Sequence, residues 1–255
     1  MLRIEDADRV RLITLDRPDA LNAFNNELYR AAREALEEAA TRPDVGAVVV
    51  TGAGRAFSAG QDIAEMGEIA SGDEPGFPAF IDTVIAFPKP LLAAVNGLGV
   101  GIGFTLLAHC DLVLIASDAR LRTPFTTLGV APEAASSVLF PAAMGWQAAA
   151  HVLLTSDWID AETAVQTGIA WRRCDSDVLL AETLAVARHI ASRPLSSVMA
   201  TKELMVAGRI DAVRAARARE DFVFARLIGS PENVEAITAF FEKREPDFAR
   251  LVDRG

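Results

Sequence analysis

Cysteine is nearly absent from this 255-residue chain. Cys110 and Cys174 stand far apart with no CxxC partner, which excludes a disulfide framework and fits two reduced thiols. Histidine is as scarce: His109, His151 and His189 are scattered, no HExxH pairs them, and no metal site is expected. Basic residues number 25 against 35 acidic ones, and the net charge of -10 argues against a nucleic-acid partner, because phosphate binding needs a basic footprint. An anionic substrate stays compatible if local arginines or backbone amides face it. No uncharged run reaches the roughly 18 residues of a membrane helix, so no membrane partner is expected. The opening stretch "MLRIEDADRVRLITLDRP" has charges every few positions and no apolar h-region, and the closing "LVDRG" lacks a peroxisomal tripeptide of the Ser-Lys-Leu type. The expected location is cytoplasmic.

Hydrophobic residues make up 51% and charged residues 24%, enough for a large core in one α/β domain of this length or two smaller ones. "VRLITL", Val10 to Leu15, alternates like a half-buried strand and ends at the turn signal "DRPDA". "NNELYRAAREALEEAATRP" follows as an amphipathic helix with Leu28, Ala31, Ala32, Ala35, Leu36 and Ala39 on one face and Asn25 or Asn26 as cap. "GAVVVTG", "LLAAVNG" and "DLVLIAS" are short apolar runs of the kind found inside parallel sheets. Strands separated by helical segments predict βα crossovers and an α/β front half. Beyond Glu133 nearly everything reads as helix, with "IAWRRC" as the one strand.

In "TPFTTLGVAPEAASS", Thr123 to Ser137, Glu133 is the one acidic residue. Two readings compete. Pro132 and Glu133 could open a helix, where proline and negative charge are favoured, or a base could be isolated among apolar neighbours to move protons at carbon. Two glycine loops follow strands: "GAGRAFSAGQDI", Gly52 to Ile63, and "NGLGVGIGF", Asn96 to Phe104. The second fails a dinucleotide fingerprint, despite Asp118 downstream, because the third glycine position holds Ile102 or Phe104 depending on the start. The pair could be simple tight turns. Alternatively, one amide from each loop could form an oxyanion hole for a thioester enolate, in which one donor is worth about 3–4 kcal/mol of transition-state stabilisation.

"LDRPDALNAF", "GAGRAFSAGQDI", "KPLLAAVNGLGVGIGFTLLAHCDLVLIASDARLRTP", "GIAWRRC" and "FFEKREPDF" stand in an order that resembles the enoyl-CoA hydratase/isomerase (crotonase) superfamily over nearly the whole chain. The resemblance implies an α/β spiral of ββα units over residues 1–195 carrying the active site. It further implies a helical oligomerisation region over 196–255, an acyl-CoA thioester substrate with no separate cofactor, and a homotrimer or dimer of trimers. By position, the oxyanion amides would be those of Gln61 and Ile102. The CoA moiety would lie along Asp19, Ala20, Leu21 and Asn22 and along Ala59, Gly60, Gln61, Asp62 and Ile63. Arg17 and Arg55 are candidates for the CoA phosphates, and Phe241 and Lys243 for a neighbouring subunit's CoA. Trp146, Trp158 and Trp171 are read as packing residues.

The two glutamates of the family's hydratases would fall at Thr105 and Phe125, and neither replacement can act as a base at neutral pH. Hydratase activity is therefore not expected. The run around Glu133 is most similar to the peroxisomal-type 3-enoyl-CoA to 2-enoyl-CoA isomerase branch, in which a glutamate at this place is the catalytic base, with Phe125 among the substrate-binding positions. Dienoyl-CoA isomerases would need a second acid at Thr105, and aryl-CoA dehalogenases an aspartate at 133, while a non-catalytic acyl-CoA binder remains the non-enzymatic alternative. Glu133 is expected to be largely ionised at pH 7 unless desolvation by Phe125, Leu128, Val130 and Phe140 dominates.

Overall fold

The computed structural model describes residues 1–63 and 76–252. In chain order its strands are β1 (Leu2–Ala7), β2 (Val10–Leu15), β3 (Ala47–Gly52), β4 (Ala56–Ser58), β5 (Leu91–Val95), β6 (Leu98–Val100), β7 (Leu112–Ala116), β8 (Arg120–Arg122), β9 (Ile159–Asp160) and β10 (Arg172–Cys174). The helices are α1 (Asn26–Thr41), α2 (Gly76–Ala86), α3 (Ile102–Thr105), α4 (Ser136–Met144), α5 (Trp146–Thr155), α6 (Ala161–Gln166), α7 (Leu179–Ala191), α8 (Leu195–Ala207), α9 (Ile210–Leu227), α10 (Pro231–Glu242) and α11 (Ala249–Val252).

Two sheets result, ordered β1-β2-β3-β5-β7-β10 and β4-β6-β8-β9. Pairing is parallel except for β1 with β2 and β8 with β9. The runs β3-β4-α2, β5-β6-α3 and β7-β8-α4 each leave one strand in each sheet before a helix, which makes the expected ββα spiral. Gly97 forms one corner between the sheets: a Cβ there would stand 2.2 Å from the Arg55 carbonyl oxygen, so only glycine lets the chain turn so tightly.

The central strands are apolar because both faces are covered. Val48, Val49 and Val50 of β3 are buried beneath α7, and α1 turns Leu28, Tyr29, Ala32, Ala35, Leu36 and Ala39 inward. Asn25 caps α1, its Oδ1 accepting the Leu28 N–H at 2.9 Å. The helices α8 to α11 follow the spiral, and α9 packs Val213 and Ala216 on Ala135 and Leu139 of the α4 region. Residues 253–255 of the expected C-terminal region lie outside the described residues.

The structure corrects several expectations. β2 is buried on both faces rather than half-buried, because β1 and β3 flank it and α1 and α7 cover it. β1, exposed and carrying Arg3, Glu5 and Asp6, and the strands of two or three residues in the second sheet have no apolar run or alternation long enough for the sequence to predict them. Pro132 and Glu133 do not open a helix: α4 begins at Ser136, after Ala134 and Ala135 have turned through the left-handed region with φ of 57° each.

Candidate active site

The glycine loops lie side by side because β4 and β6 are parallel neighbours, with Ser58 opposite Gly99. Just beyond, Gly60 takes φ +92, and a Cβ on it would meet the Val100 carbonyl oxygen at 2.8 Å, so the loops approach more closely than a side chain would allow. Gln61 forms a parallel bridge with Phe24, in which Phe24 N–H donates to Gly60 O at 2.7 Å and Asp62 N–H to Phe24 O at 2.8 Å. That alternation turns the Gln61 amide away from Phe24. Ile102 is the first residue of α3, so its amide has no intrahelical acceptor. The two expected oxyanion donors thus sit at the ends of adjacent strands.

Glu133 approaches the same helix. Thr105, one turn after Ile102 and fully buried, stands with its hydroxyl 3.4 Å from Glu133 Oε1. Glu133 is half-buried, and desolvation pushes its carboxyl up to about 7. The Thr105 hydroxyl and Arg217 pull it back, while Glu220 and Asp221 push it further. Desolvation thus dominates, the condition attached to the expectation of an ionised carboxylate, and with a value of about 7 both protonation states coexist near neutrality.

Tyr29 joins this group from α1, its hydroxyl donating to Gln61 Oε1 at 2.8 Å. Burial, and next the Glu133 charge, hold that hydroxyl well above its usual pKa of 10.0. Its only trace in the sequence is that it is the single tyrosine of the chain, on the inward face of an amphipathic helix.

The two segments expected to run along CoA are also brought together, with Ala59 N–H donating to Leu21 O at 2.9 Å. Asp19 is exposed and Ala20, Leu21, Ala59, Asp62 and Ile63 are half-buried, whereas Gly60 is buried. Asn22 is fully buried, and its Nδ2 donates to Ala53 O at 2.9 Å and Ala56 O at 2.8 Å while Oδ1 accepts the Arg17 N–H. Its side chain therefore holds the loop to β4 rather than facing a ligand. Arg17 is tied across the loops, to Asp62 at 3.1 Å and Ala23 O at 2.6 Å. Phe125 is buried at 4% exposure. Trp146 is 73% exposed, which corrects the packing assignment within this chain, and Trp158 and Trp171 lie under arginines instead of inside the core. Phe241 and Lys243 are exposed at the end of α10. Among the described residues no group of three or more His, Cys, Asp or Glu is gathered to hold a metal, and no helix is long and apolar enough to cross a membrane.

Fold and site together define a two-layer ββα spiral with a carboxyl beside the helix that follows one of two adjoining glycine loops. Residues 5–250 match the family described as enoyl-CoA hydratase/isomerase. The chain belongs to that family. It is 35% identical over 249 residues to the 2,3-dehydroadipyl-CoA hydratase of Escherichia coli K12, covering 97% of this chain and 98% of the relative. It is 29% identical to the 1,2-epoxyphenylacetyl-CoA isomerase of the same organism over 94% of each chain. The crystal structure of an enoyl-CoA hydratase/isomerase from Pseudoalteromonas atlantica T6c superposes with a TM-score of 0.93 at 38% identity, covering 97% of this chain and 99% of that one. With a relative named as a hydratase at this identity, the exclusion of hydration drawn from Thr105 and Phe125 is not borne out.

Proposed function

We propose that this enzyme moves the double bond of a 3-enoyl-CoA thioester to the 2-position, with Glu133 as the proton carrier. The observation that carries the reading is the half-buried Glu133 carboxyl 3.4 Å from Thr105, on the helix whose first amide belongs to Ile102. Ionised Glu133 takes a proton from C2, and the electron pair spreads over C2 to C4 and the thioester carbonyl. The amides of Gln61 and Ile102 hold the resulting oxyanion. The same carboxyl, now protonated, returns the proton at C4, so one group accepts and donates and no cofactor is required. A pKa near 7 suits both halves of that exchange. CoA would lie along Asp19 to Asn22 and Ala59 to Ile63, with the acyl chain near Phe125.

Exposed Leu204, Met205, Phe222, Phe240 and Phe241 on α8 to α10 support self-association as a homotrimer or dimer of trimers. Hydration is the second reading, favoured by the name of the 35% identical relative. Assays on 3-enoyl-CoA esters of graded length test the first reading: isomerisation is expected in the unaltered protein and absent from Glu133→Gln, while the variant still binds CoA esters. Hydration of crotonyl-CoA at a rate rivalling isomerisation would overturn it in favour of the second.

A further inference from the structure

The turn that follows Glu133 is held from two distant parts of the chain. Glu220 of α9, 5% exposed, accepts the Ala135 N–H on Oε2 at 2.6 Å and the Ser137 N–H on Oε1 at 2.9 Å. His109 is 2.7 Å from Ala134 O through Nε2, and since a carbonyl only accepts, that nitrogen carries the proton. Ser136 closes the turn from within, its hydroxyl donating to Glu133 O at 2.6 Å. Between these anchors Ala134 and Ala135 both hold φ 57°, fully buried.

Alanine occupies the left-handed region only where its surroundings over-determine it. The cap residue Ala135 offers no side-chain acceptor to the start of α4, and the acceptor comes instead from 85 residues along the chain. Capping alone explains the stability of α4 but not why two alanines are turned over immediately after the candidate base.

We propose that Glu220 is the positioning residue of Glu133: its carboxylate locks the left-handed Ala134–Ala135 turn and thereby sets the Glu133 carboxyl against Thr105 and the amide-bearing end of α3. The inference rests on the reading of Glu133 as proton carrier. The groups facing Glu133 are Tyr29 from α1, Thr105 from α3, and Glu220, Arg217 and Asp221 from α9. Of the two α9 carboxylates that oppose its ionisation, Glu220 acts the more strongly, so removing the Glu220 charge also moves the activity midpoint to lower pH.

The test begins on substrate-free protein. In Glu220→Gln, whose side chain offers one acceptor oxygen where two amides need one each, backbone NMR shifts of Ala134 and Ala135 should lose their left-handed signature. The Ala135 and Ser137 amides should exchange faster. With 3-enoyl-CoA, kcat should fall about 100-fold while KM changes little, because a misplaced catalytic group loses orientation rather than binding. Adding Ala135→Gly should restore part of kcat, about tenfold, since glycine enters the left-handed region without the steric penalty that alanine carries. Glu220→Asp keeps the charge but shortens the reach, and should lower kcat without moving the pH midpoint. A turn that stays left-handed and protected in Glu220→Gln overturns the proposal, as does a released turn with unaltered kcat, or the lack of rescue by glycine. If the unaltered protein isomerises nothing, the isomerase reading fails, and the NMR and exchange measurements alone still decide whether Glu220 locks the turn.

Discussion

The hydroxyl of Tyr29 donates to the side-chain oxygen of Gln61 across 2.8 Å, joining α1 to the loop that carries an expected oxyanion amide. Tyr29 is itself wedged between Phe24, at a centroid distance of 4.7 Å, and Phe80, at 5.6 Å, so the donor is rigid. Tyr29→Phe keeps that stack and leaves Gln61 Oε1 without its partner. The loss of a buried hydrogen bond should cost about 1 kcal/mol of stability in urea unfolding and lower kcat about fivefold. An unchanged kcat would separate the orientation of Gln61 from the reaction.

The raised pKa of Glu133 has opposite consequences for activity and stability. A base works ionised, so kcat/KM should rise with pH through about 7 and level off above it. For stability, the folded chain holds the Glu133 proton more tightly than the unfolded chain, whose carboxyl titrates near the ordinary 4.5. The stabilising contribution of that proton is complete below 4.5 and is lost as pH rises to about 7. Glu133→Gln, which never ionises, should therefore be more stable than the unaltered protein at pH 8 by about 3 kcal/mol and unfold at a higher temperature, with the gap closing near pH 4. Thermal unfolding at both pH values checks this, and equal gaps would show that Glu133 is not desolvated in the folded chain.

Much of the fold was legible because its signals are local. Valine runs marked β3, the Asn25–Asn26 pair marked the start of α1, and Gly and Pro punctuated the helices after Glu133. Strands of two or three residues, such as β4, β8 and β9, contain too few side chains to establish a period, and exist because the neighbouring strand pairs with them. The same limit applies to the site. Glu133 stood out as one acid among apolar residues, but Tyr29 and Glu220 lie 104 residues before and 87 after it, on helices whose patterns served packing equally well. The choice between a helix start at Pro132 and an isolated base stayed open in the sequence, because tertiary contacts from His109 and Glu220 hold the alanine turn that delays α4 to Ser136.

An ion pair ties α8 to the spiral, beside the Val213 and Ala216 packing and the Glu220 hydrogen bonds that hold α9. Lys202 of α8, 9% exposed, donates to Asp111 Oδ2 at 2.7 Å and to Lys89 O at 2.8 Å. The same Asp111 oxygen accepts the Leu91 N–H at 2.8 Å, at the first residue of β5. Replacing the pair by apolar groups of matching shape could be nearly neutral, but removing one partner strands the other without its counter-charge. Lys202→Met should thus destabilise the protein by about 3 kcal/mol, and the double variant Lys202→Met with Asp111→Leu by less than Lys202→Met alone. Denaturant unfolding of the unaltered protein, the two single variants Lys202→Met and Asp111→Leu, and the double variant tests the coupling. Strictly additive losses would mean that Lys202 and Asp111 act independently, and that α8 is held by apolar packing instead.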